Sequence, residues 1–466
     1  MLMLSENSKT LTSFIKAPVP IYMQIYLFNV TNPDAIRFHG AKPILKEVGP
    51  YTYREVREKF DLVWGHDDGS VSYQQNFTFF FDEEMSNGLK ETDYITTINA
   101  VMVVASQVFG NETNPILRTV WSQLEKEMDL FESHVVRELL FEGYPLPEFD
   151  FDFSEVLPQL NFTEGWSGTI YEILEAMGVP DIPEFLQDNK MCLMYGRNNS
   201  NDGTYKVRTG ENGMDNYLNI EEWNGNHTLS YWNSTYCNMI NGTDGSQYPP
   251  KVTKNTVLRI FTSQLCRSLY LTFEKEISHH GINAYRFTAP EEMLQAADQN
   301  PDNACYCYPD QQHCLGSGML NLQPCAQGAN IIMSTPHFYM GDKVELAKLV
   351  GLNPNKNDHE TFLDVEPRTG VTMKAAKKIQ INVPLRPYGN LPSFKNVPEV
   401  VFPVLWVNEN ADVNETLSKE VRKGVSLPFV VVNAICGILI FIGAILLIAG
   451  GVKFSRVRNS HGQQKL

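Results

Sequence analysis

The sequence has few positive charges for its size. It contains 38 lysines and arginines against 54 aspartates and glutamates in 466 residues, which gives a formal net charge of −16. Nucleic-acid binding requires a basic face that neutralises phosphates. The charge balance therefore excludes nucleic acid as a partner.

The sequence also lacks the short motifs that mark common catalytic sites. It contains no GxSxG, HExxH or Walker loop. His359 and Glu360 have no second histidine at the spacing of a zinc protease, and residues 198–203 resemble a calcium loop without its closing glutamate. We therefore predict a protein that is not an enzyme, with no cofactor and no metal site.

One long stretch near the C-terminus lacks charge altogether. The run at 427–452 has no charged residue and is long enough to cross about 30 Å of hydrocarbon as a helix. Basic residues follow directly from Lys453, so the positive-inside rule predicts a cytoplasmic tail at 453–466. Residues 1–426 then form a lumenal or extracellular domain.

The N-terminal segment does not resemble a signal peptide. Residues 1–16 carry Glu6, Lys9 and Lys16 and have no apolar run of the required kind. A C-terminal span in the predicted orientation needs an upstream segment that starts translocation. This sequence contains one predicted span. We therefore expect a second, N-terminal span to precede it.

Sequons for asparagine-linked glycosylation occur only on the predicted outer side. They begin at Asn29, Asn76, Asn111, Asn161, Asn198, Asn226, Asn233, Asn241 and Asn414. Nine sequons with none in the tail support the predicted topology and indicate a glycoprotein. Asn29 lies beside a predicted strand, where burial would prevent its modification.

Most of the eight cysteines are clustered. Six lie between residues 237 and 325: Cys237, Cys266, Cys305, Cys307, Cys314 and Cys325. In a secretory compartment such a cluster indicates disulfides, although four of these thiolates would also suit zinc. Six cysteines allow fifteen pairings, and spacing alone does not choose among them. We predict that Cys192 is a buried free thiol, and Cys436 falls within the membrane run.

Strand patterns dominate the region before the membrane run. Alternating or β-branched and aromatic segments occur at 24–31, 51–64, 71–81, 377–385 and 400–407. Helical patterns are fewer. A buried helix is predicted at 92–109 and an amphipathic helix at 115–140, and the pieces LPQL and EILEAM suggest a helical hairpin within 145–190. The absence of repeats favours one large α+β domain.

Several long strings, in order, carry a family resemblance. They are APVPIYMQIYLFNVTNP at 17–33, EVGPYTYRE at 47–55, CNMINGTDG at 237–245, CRSLY at 266–270, NPDNACYC at 300–307, PHFY at 336–339 and HETFLDVEPRTG at 359–370. Together they extend over nearly the whole outer domain. The sequence resembles the class B scavenger receptor family.

The resemblance implies a fold and a disulfide pattern. It implies a large antiparallel, barrel-like β core with short helices, an apical helical bundle at about 115–190 and an internal lipid tunnel. It also implies the disulfides Cys237–Cys305, Cys266–Cys325 and Cys307–Cys314. A tunnel that ends at the bilayer would shield acyl chains from water, whose contact costs roughly 0.8 kcal/mol per methylene.

The predicted apical region is strongly acidic. Residues 121–190 carry sixteen acidic and three basic residues, so this segment holds −13 of the total −16. Some family members have neighbouring lysines here that serve anionic ligands, whereas this chain has Glu125 and Glu127 around Lys126. The predicted apex therefore favours a cationic partner over oxidised, anionic particles, unless the acidic face is merely solvated.

Phe131 and His134 complete the set of ligand-binding candidates. The resemblance places His134 where the lysosomal branch of the family uses a histidine as a pH switch. On the predicted helix, Glu138 lies one turn from His134 and would favour a protonated ring, while Arg137 would oppose it. The alternative is a surface histidine without a role.

Three functions compete at this point. The leading hypothesis is a cell-surface scavenger receptor for lipoproteins, fatty acids or other lipid-bearing ligands and for apoptotic or microbial surfaces. A trafficking receptor that binds a lumenal protein in endosomes or lysosomes is the first alternative, and an adhesion glycoprotein without lipid transfer is the second. The terminal Lys465 and Leu466 resemble an ending that a PDZ domain binds, and the plasma membrane is the predicted location.

Overall fold

The structure describes most of the region before the predicted membrane run. The computed structural model describes residues 3–8, 10–110, 115–151, 166–176, 186–326 and 328–422, together with Cys436 and Leu439. The chain divides into two units, Met1–Ile277 with Asn283–Asp412, and Ser278–Ile282 with Val413–Leu466. Among the described residues, no helix has the length and apolar character of a membrane span. Apart from Cys436 and Leu439, the run at 427–452 and the tail at 453–466 lie outside those residues.

Strands provide most of the regular structure in the described residues. The strands are β1 (Ile21–Val30), β2 (Leu45–Gly65), β3 (Ser70–Phe81), β4 (Tyr94–Ile98), β5 (Phe131–Val135), β6 (Tyr144–Pro145), β7 (Phe149–Phe151), β8 (Trp166–Gly168), β9 (Lys190–Met191), β10 (Ser200–Arg208), β11 (Ile220–Trp223), β12 (Leu258–Thr262), β13 (Arg267–His279), β14 (Ile282–Thr288), β15 (Met319–Asn321), β16 (Ile332–Ser334), β17 (Phe362–Val365), β18 (Thr372–Leu385) and β19 (Val400–Asp412). The helices are α1 (Thr10–Ile15), α2 (Pro33–His39), α3 (Ala100–Phe109), α4 (Pro115–Glu127), α5 (Ile170–Ala176), α6 (Lys343–Ala347), α7 (Lys356–His359) and α8 (Glu415–Val421).

One large antiparallel sheet organises these strands. Its order is β11-β10-β3-β2-β1-β19-β18-β17-β14-β13-β12, and β16 pairs with both β18 and β15. β1 lies at the centre of the path, between β2 and β19. The five strand predictions are confirmed as parts of β1, β2, β3, β18 and β19. In β18, buried residues alternate along much of the strand with half-buried ones. This alternation is the sequence pattern from which the strand was predicted.

Both long helix predictions are partly wrong. The segment at 92–109 begins as β4 and becomes helical only after Asn99, whose Oδ1 accepts a hydrogen bond from the backbone N–H of Met102 at 3.1 Å. The segment at 115–140 is helical to Glu127 and then enters β5, which pairs with β4. It becomes helical again from Val136, in a short turn that ends as the π-helix Glu138–Glu142. Strand pairing between segments distant in sequence overrode the local helical period. Of the predicted hairpin within 145–190, the structure describes one helix, α5, and LPQL lies outside the described residues.

A short segment links the two end strands of the sheet. The backbone N–H of Ile220 in β11 donates to the carbonyl of Gly242 at 2.8 Å. Next to it, the N–H of Thr243 donates to the carbonyl of Arg259 in β12 at 3.2 Å, and the N–H of Phe261 donates to the carbonyl of Thr243 at 3.0 Å. Residues 242–243 therefore bring the sheet close to a closed barrel, as the family resemblance implies.

The largest apolar cluster joins the centre of the sheet to α3 and α4. Fully buried members include Phe28 of β1, Tyr51 of β2, Met102 of α3, Leu124 of α4 and Phe402 of β19. The helices therefore cover one part of the sheet with the same apolar stripe that the sequence showed. Burial of each of these large side chains is worth about 1.5–3 kcal/mol relative to exposure.

Substitution of Gly242 tests the closure of the sheet. A Cβ there would lie 2.0 Å from the carbonyl oxygen of Arg259, and the φ angle is +93°. We expect Gly242→Ala to lower the free energy of unfolding by about 3 kcal/mol or more, from backbone strain and steric overlap together. Urea unfolding followed by tryptophan fluorescence measures the loss, and the substitution retains the Asn241 sequon.

Gly88 supplies the matched control for that substitution. Its φ angle is +85°, and nothing lies within 4 Å of an added Cβ. Gly88→Ala should therefore cost only the conformational strain, about 1–2 kcal/mol. Equal losses in the two variants would show that the contact at residues 242–243 does not contribute to stability.

Candidate ligand-binding site

A cleft lies beside α4, in the predicted apical region. Its volume is about 490 Å³, and it lies between α4, the end of α3 and the loop at 389–392. Its lining residues are Phe109, Arg118, Trp121, Ser122, Glu125, Gly389, Asn390, Leu391 and Pro392. The indole of Trp121 forms the floor, packed on Phe109 and Phe394 with ring centroids 5.8 Å away in each case.

The cleft combines apolar walls with polar groups. Trp121 is only 2% exposed, yet its Nε1–H has no hydrogen-bond acceptor among the described residues. Buried N–H groups nearly always find a partner, so an unpaired one on a residue that lines a cleft is a candidate donor to a ligand. Arg118 is exposed and adds a positive charge to the lining of this otherwise acidic segment. The arrangement suits an amphiphile with an apolar chain and an acceptor head group.

The three charged candidates on α4 have different environments. Glu125 is half-buried and lines the cleft, and its Oε1 accepts a hydrogen bond from the backbone N–H of Ser393 at 2.6 Å. Glu127 and Lys126 are exposed, and the Nζ of Lys126 donates to Gln123 at 3.0 Å. Glu125 therefore holds the loop that forms the opposite wall, while its two neighbours face solvent.

Phe131 and His134 lie on β5 rather than on a helix. Phe131 is half-buried against Phe402, with ring centroids 5.9 Å apart. The Nε2 of His134 lies 3.0 Å from the carboxylate of Glu132, and its ring stacks on Tyr144 at a centroid distance of 3.6 Å. The expected partnership of His134 with a glutamate one helical turn away is wrong, because a strand places residues two apart on the same face.

A layer of charged side chains lies inside the nearly closed sheet. Arg57 of β2 pairs with Glu55 at 2.6 Å and also with Glu409 of β19. Burial favours the neutral form of Glu409, but Arg57 and Lys377 outweigh it and lower the pKa of this carboxyl to about 2. Lys377 also donates to Gln264, which follows β12, at 3.1 Å. Because β18 and β12 are not neighbours in the sheet order, this contact crosses its interior.

A second buried polar cluster surrounds His337. Its Nε2 contacts the carboxylate of Glu47 at 2.5 Å, and the indole N–H of Trp406 donates to the same oxygen at 2.7 Å. The ring of His337 stacks on His359 with centroids 4.4 Å apart. His337 and two of the next three residues have φ angles of +52° to +56°, a left-handed conformation that costs energy for side chains other than glycine.

Burial makes His359 sensitive to acid. Burial is the main cause, and the adjacent His337 the second, of a pKa lowered to about 4 from an ordinary 6.5. Between these pH values the unfolded chain binds a proton at His359 that the folded chain does not, so stability falls as the pH falls. We expect a loss of about 2 kcal/mol between about pH 7 and pH 5, measured by urea unfolding at both pH values.

A substitution isolates that contribution. His359→Gln should remove most of this pH dependence, whereas the exposed His39→Gln should leave it unchanged. Glu47 has a lowered pKa and its contribution is lost only below its ordinary value of 4.5, outside the measured range. An unchanged pH slope in His359→Gln would contradict the assignment.

Two of the three implied disulfides are present. Cys237 bonds to Cys305 and Cys307 bonds to Cys314. Cys266 and Cys325 are free thiols in the structure. A hydrogen bond with Cys325 is the main cause, and burial the second, of a raised pKa for Cys266. Cys192 is also free, and burial raises its pKa to about 11, which suits an inert core thiol.

The sequons differ in exposure. Asn198, Asn226, Asn233 and Asn414 are exposed. Asn76 and Asn241 are half-buried, as is Asn29, whose Oδ1 accepts a hydrogen bond from the backbone N–H of Thr96 at 2.8 Å. Asn111 and Asn161 lie outside the described residues.

Sequence reasoning missed most of the cleft. Trp121 falls within the amphipathic helix predicted at 115–140, and no sequence pattern distinguishes Arg118 as a ligand contact. The loop at 389–392 is separated from α4 by more than 250 residues of sequence. No local pattern connects these segments, because the central β1–β19 pairing brings the two ends of the domain together.

Comparisons with known proteins agree with the fold. A family model described as the CD36 family matches residues 1–454. The human protein named Lysosome membrane protein 2 is 34% identical over 93% of this chain and 83% of its own length. Sensory neuron membrane protein 2 of Manduca sexta is 32% identical over 90% of this chain and 80% of its own length. Scavenger receptor class B member 1 of Mus musculus is 32% identical over 84% of this chain and 71% of its own length.

These matches establish the class of protein. The chain belongs to the CD36 family, the class B scavenger receptors. The predicted family membership is confirmed. The family comprises receptors, and the relatives named above are membrane proteins.

Proposed function

We propose that this chain is a cell-surface scavenger receptor that binds lipoproteins, fatty acids or other lipid-bearing ligands, including apoptotic or microbial surfaces. In this proposal the outer domain passes apolar lipid towards the membrane without covalent chemistry. The run at 427–452 anchors the domain in the membrane. Binding occurs at the predicted apical region, and the tail offers its last residues to a PDZ domain.

The cleft beside α4 is the observation that carries this proposal. Its volume of about 490 Å³ falls within the range of roughly 300–1,000 Å³ that is typical of small-molecule sites. Its aromatic and aliphatic walls suit an acyl chain, while the unpaired Nε1–H of Trp121 suits a carbonyl or carboxylate oxygen. Arg118 favours an anionic head group over a cationic one.

In the proposed lipid transfer, the interior of the nearly closed sheet is the route, and the charged side chains of that interior are an obstacle. A nearly closed sheet shields an acyl chain from water along its length. The ion pairs of Arg57 with Glu55 and Glu409 lie along the wall of that interior, and hydrocarbon would not displace them without a large desolvation cost. Transfer would therefore run beside this charged layer or require it to open.

Blocking the cleft tests the proposed binding site. Ser122 is exposed and lines the cleft, so Ser122→Trp would fill it without disturbing the core beneath. We expect uptake of labelled fatty acid and cholesteryl ester by cells that express this variant to fall at least about tenfold, which corresponds to a loss of about 1.4 kcal/mol of binding energy. Mass spectrometry of lipid extracted from the purified protein should show the same loss.

A second tryptophan on the same helix serves as the control. Glu127 is exposed and does not line the cleft. Glu127→Trp should therefore retain uptake and bound lipid. If both variants match the wild type at equal surface expression, the cleft is not the lipid site. If neither the wild type nor any variant takes up lipid, an adhesion glycoprotein without lipid transfer is the better description.

The geometry around His134 favours a second candidate function. A proton on His134 would turn its contact with Glu132 into an ion pair beside the ring of Tyr144. The acidic apical segment would suit a cationic lumenal protein, whose binding would then vary with pH. This candidate is a trafficking receptor in endosomes or lysosomes.

A pH comparison tests the second candidate. Binding of lumenal proteins to the immobilised outer domain is measured at about pH 7.4 and pH 5. If the contact of His134 with Glu132 controls binding, wild type should bind differently at the two values. His134→Gln should remove that difference. Identical pH profiles for the two proteins, together with residence of a tagged chain at the plasma membrane, would count against it.

We also propose that Cys266 and Cys325 form the third disulfide and that the exposed sequons carry glycans. The hydrogen bond between the two thiols supports this pairing, as does the oxidising compartment expected for the outer domain. Peptide mapping without reduction would detect the linked pair, and two free thiols would refute it.

A further inference from the structure

Arg267 is a buried cation at the start of β13. The residue as a whole is only 4% exposed to solvent. The guanidinium carbon lies 3.7 Å from the centre of the Tyr306 ring, and Nη2 donates a long hydrogen bond of 3.5 Å to the carbonyl of Met293. The side chain is therefore enclosed by an aromatic face on one side and backbone on another.

No protein anion neutralises this charge in the described part of the chain. None of the described carboxylates lies within 4.0 Å of the guanidinium, and its Nε–H is buried without an acceptor. Burial lowers the pKa of Arg267, and the neighbours that oppose this effect, Tyr306 first, are tyrosines rather than carboxylates. A buried guanidinium normally pairs with an anion, because desolvation is too costly for a stacked ring and hydrogen bonds to Met293 and Tyr306 to offset.

A small cavity adjoins the unpaired guanidinium. It offers about 30 Å³ to water-sized occupants, against roughly 10–15 Å³ for a single water on this measure. Its walls include Arg267 and Tyr306 together with the polar residues Gln295, Asn303 and Asn321. The space suits one small ion and its hydration, and it is far too small for a lipid.

We propose that this cavity binds a small monovalent inorganic anion of the size of chloride, held by the guanidinium of Arg267. The anion would neutralise a charge that the described protein groups leave unpaired. Cys307 lines the same cavity and bonds to Cys314, while Cys305, two residues before it, bonds to Cys237. The site would therefore tie β13 to the disulfide-bonded segment that follows β14.

The proposal makes the stability of the protein depend on the anion. A ligand that binds only the folded state raises the melting temperature with its concentration. At constant ionic strength, replacement of gluconate by about 100 mM chloride should raise Tm by about 1–2 °C. Gluconate is too large for the cavity. A bound water would give the same Tm in both salts, because water is present at equal activity.

Two further measurements locate the effect. Arg267→Gln should abolish the chloride dependence, whereas Arg259→Gln, which alters an exposed arginine on the adjacent strand β12, should retain it. Crystals of the wild-type outer domain grown or soaked with bromide should show an anomalous peak within about 3.5 Å of the guanidinium. This measurement does not depend on whether Arg267→Gln folds. Equal Tm in chloride and gluconate, or bromide that is absent from Arg267, would overturn the proposal.

Discussion

The pairing of β1 with β19 is the interaction on which the rest of the structure depends. It joins residues that are more than 370 positions apart, from Ile21 with Ala411 to Leu27 with Leu405. The register places Ile25 and Leu27 in the largest apolar core, and a shift by one residue would turn them towards the opposite face. Because β2 adds to one side of this pair and β18 to the other, most of the sheet inherits its register.

This fold buries charged groups as well as apolar ones. The buried charges have three different kinds of partner. The Arg57 layer pairs one guanidinium with Glu55 of the same strand and with Glu409 of β19. The His337 cluster combines a carboxylate with an indole and a second imidazole, and it makes the fold sensitive to acid through His359. At Arg267 the described residues provide the ring of Tyr306, a side-chain hydrogen bond with that tyrosine and a backbone carbonyl, but no carboxylate. This difference is why a ligand ion is needed there and not at the other two places.

Individual residues of the acidic apical segment have structural roles that its net charge does not show. Glu125, predicted as a ligand contact, lines the cleft and also accepts a backbone hydrogen bond from the opposite wall. Arg118 contributes a local positive charge within a segment that carries −13. A net charge describes the long-range field, whereas the choice of ligand at a cleft depends on the few groups within contact distance. An anionic amphiphile and a cationic protein partner are therefore compatible with different parts of one region.

The sequence by itself determined the family, the long strands of the central sheet and the acidic character of the predicted apex. These features are local: alternation shows in β18, and family strings such as those at 47–55 and 300–307 are contiguous. Only the tertiary structure decided that residues 128–135 leave the helix, that His134 faces Glu132, and that Trp121 meets the loop at 389–392. Each of these outcomes depends on contacts between distant segments, whose free energy exceeds the few tenths of a kcal/mol per residue that local propensity supplies. The same reason explains Arg267, which is an ordinary residue of the CRSLY string until the fold encloses it without a counter-charge among the described residues.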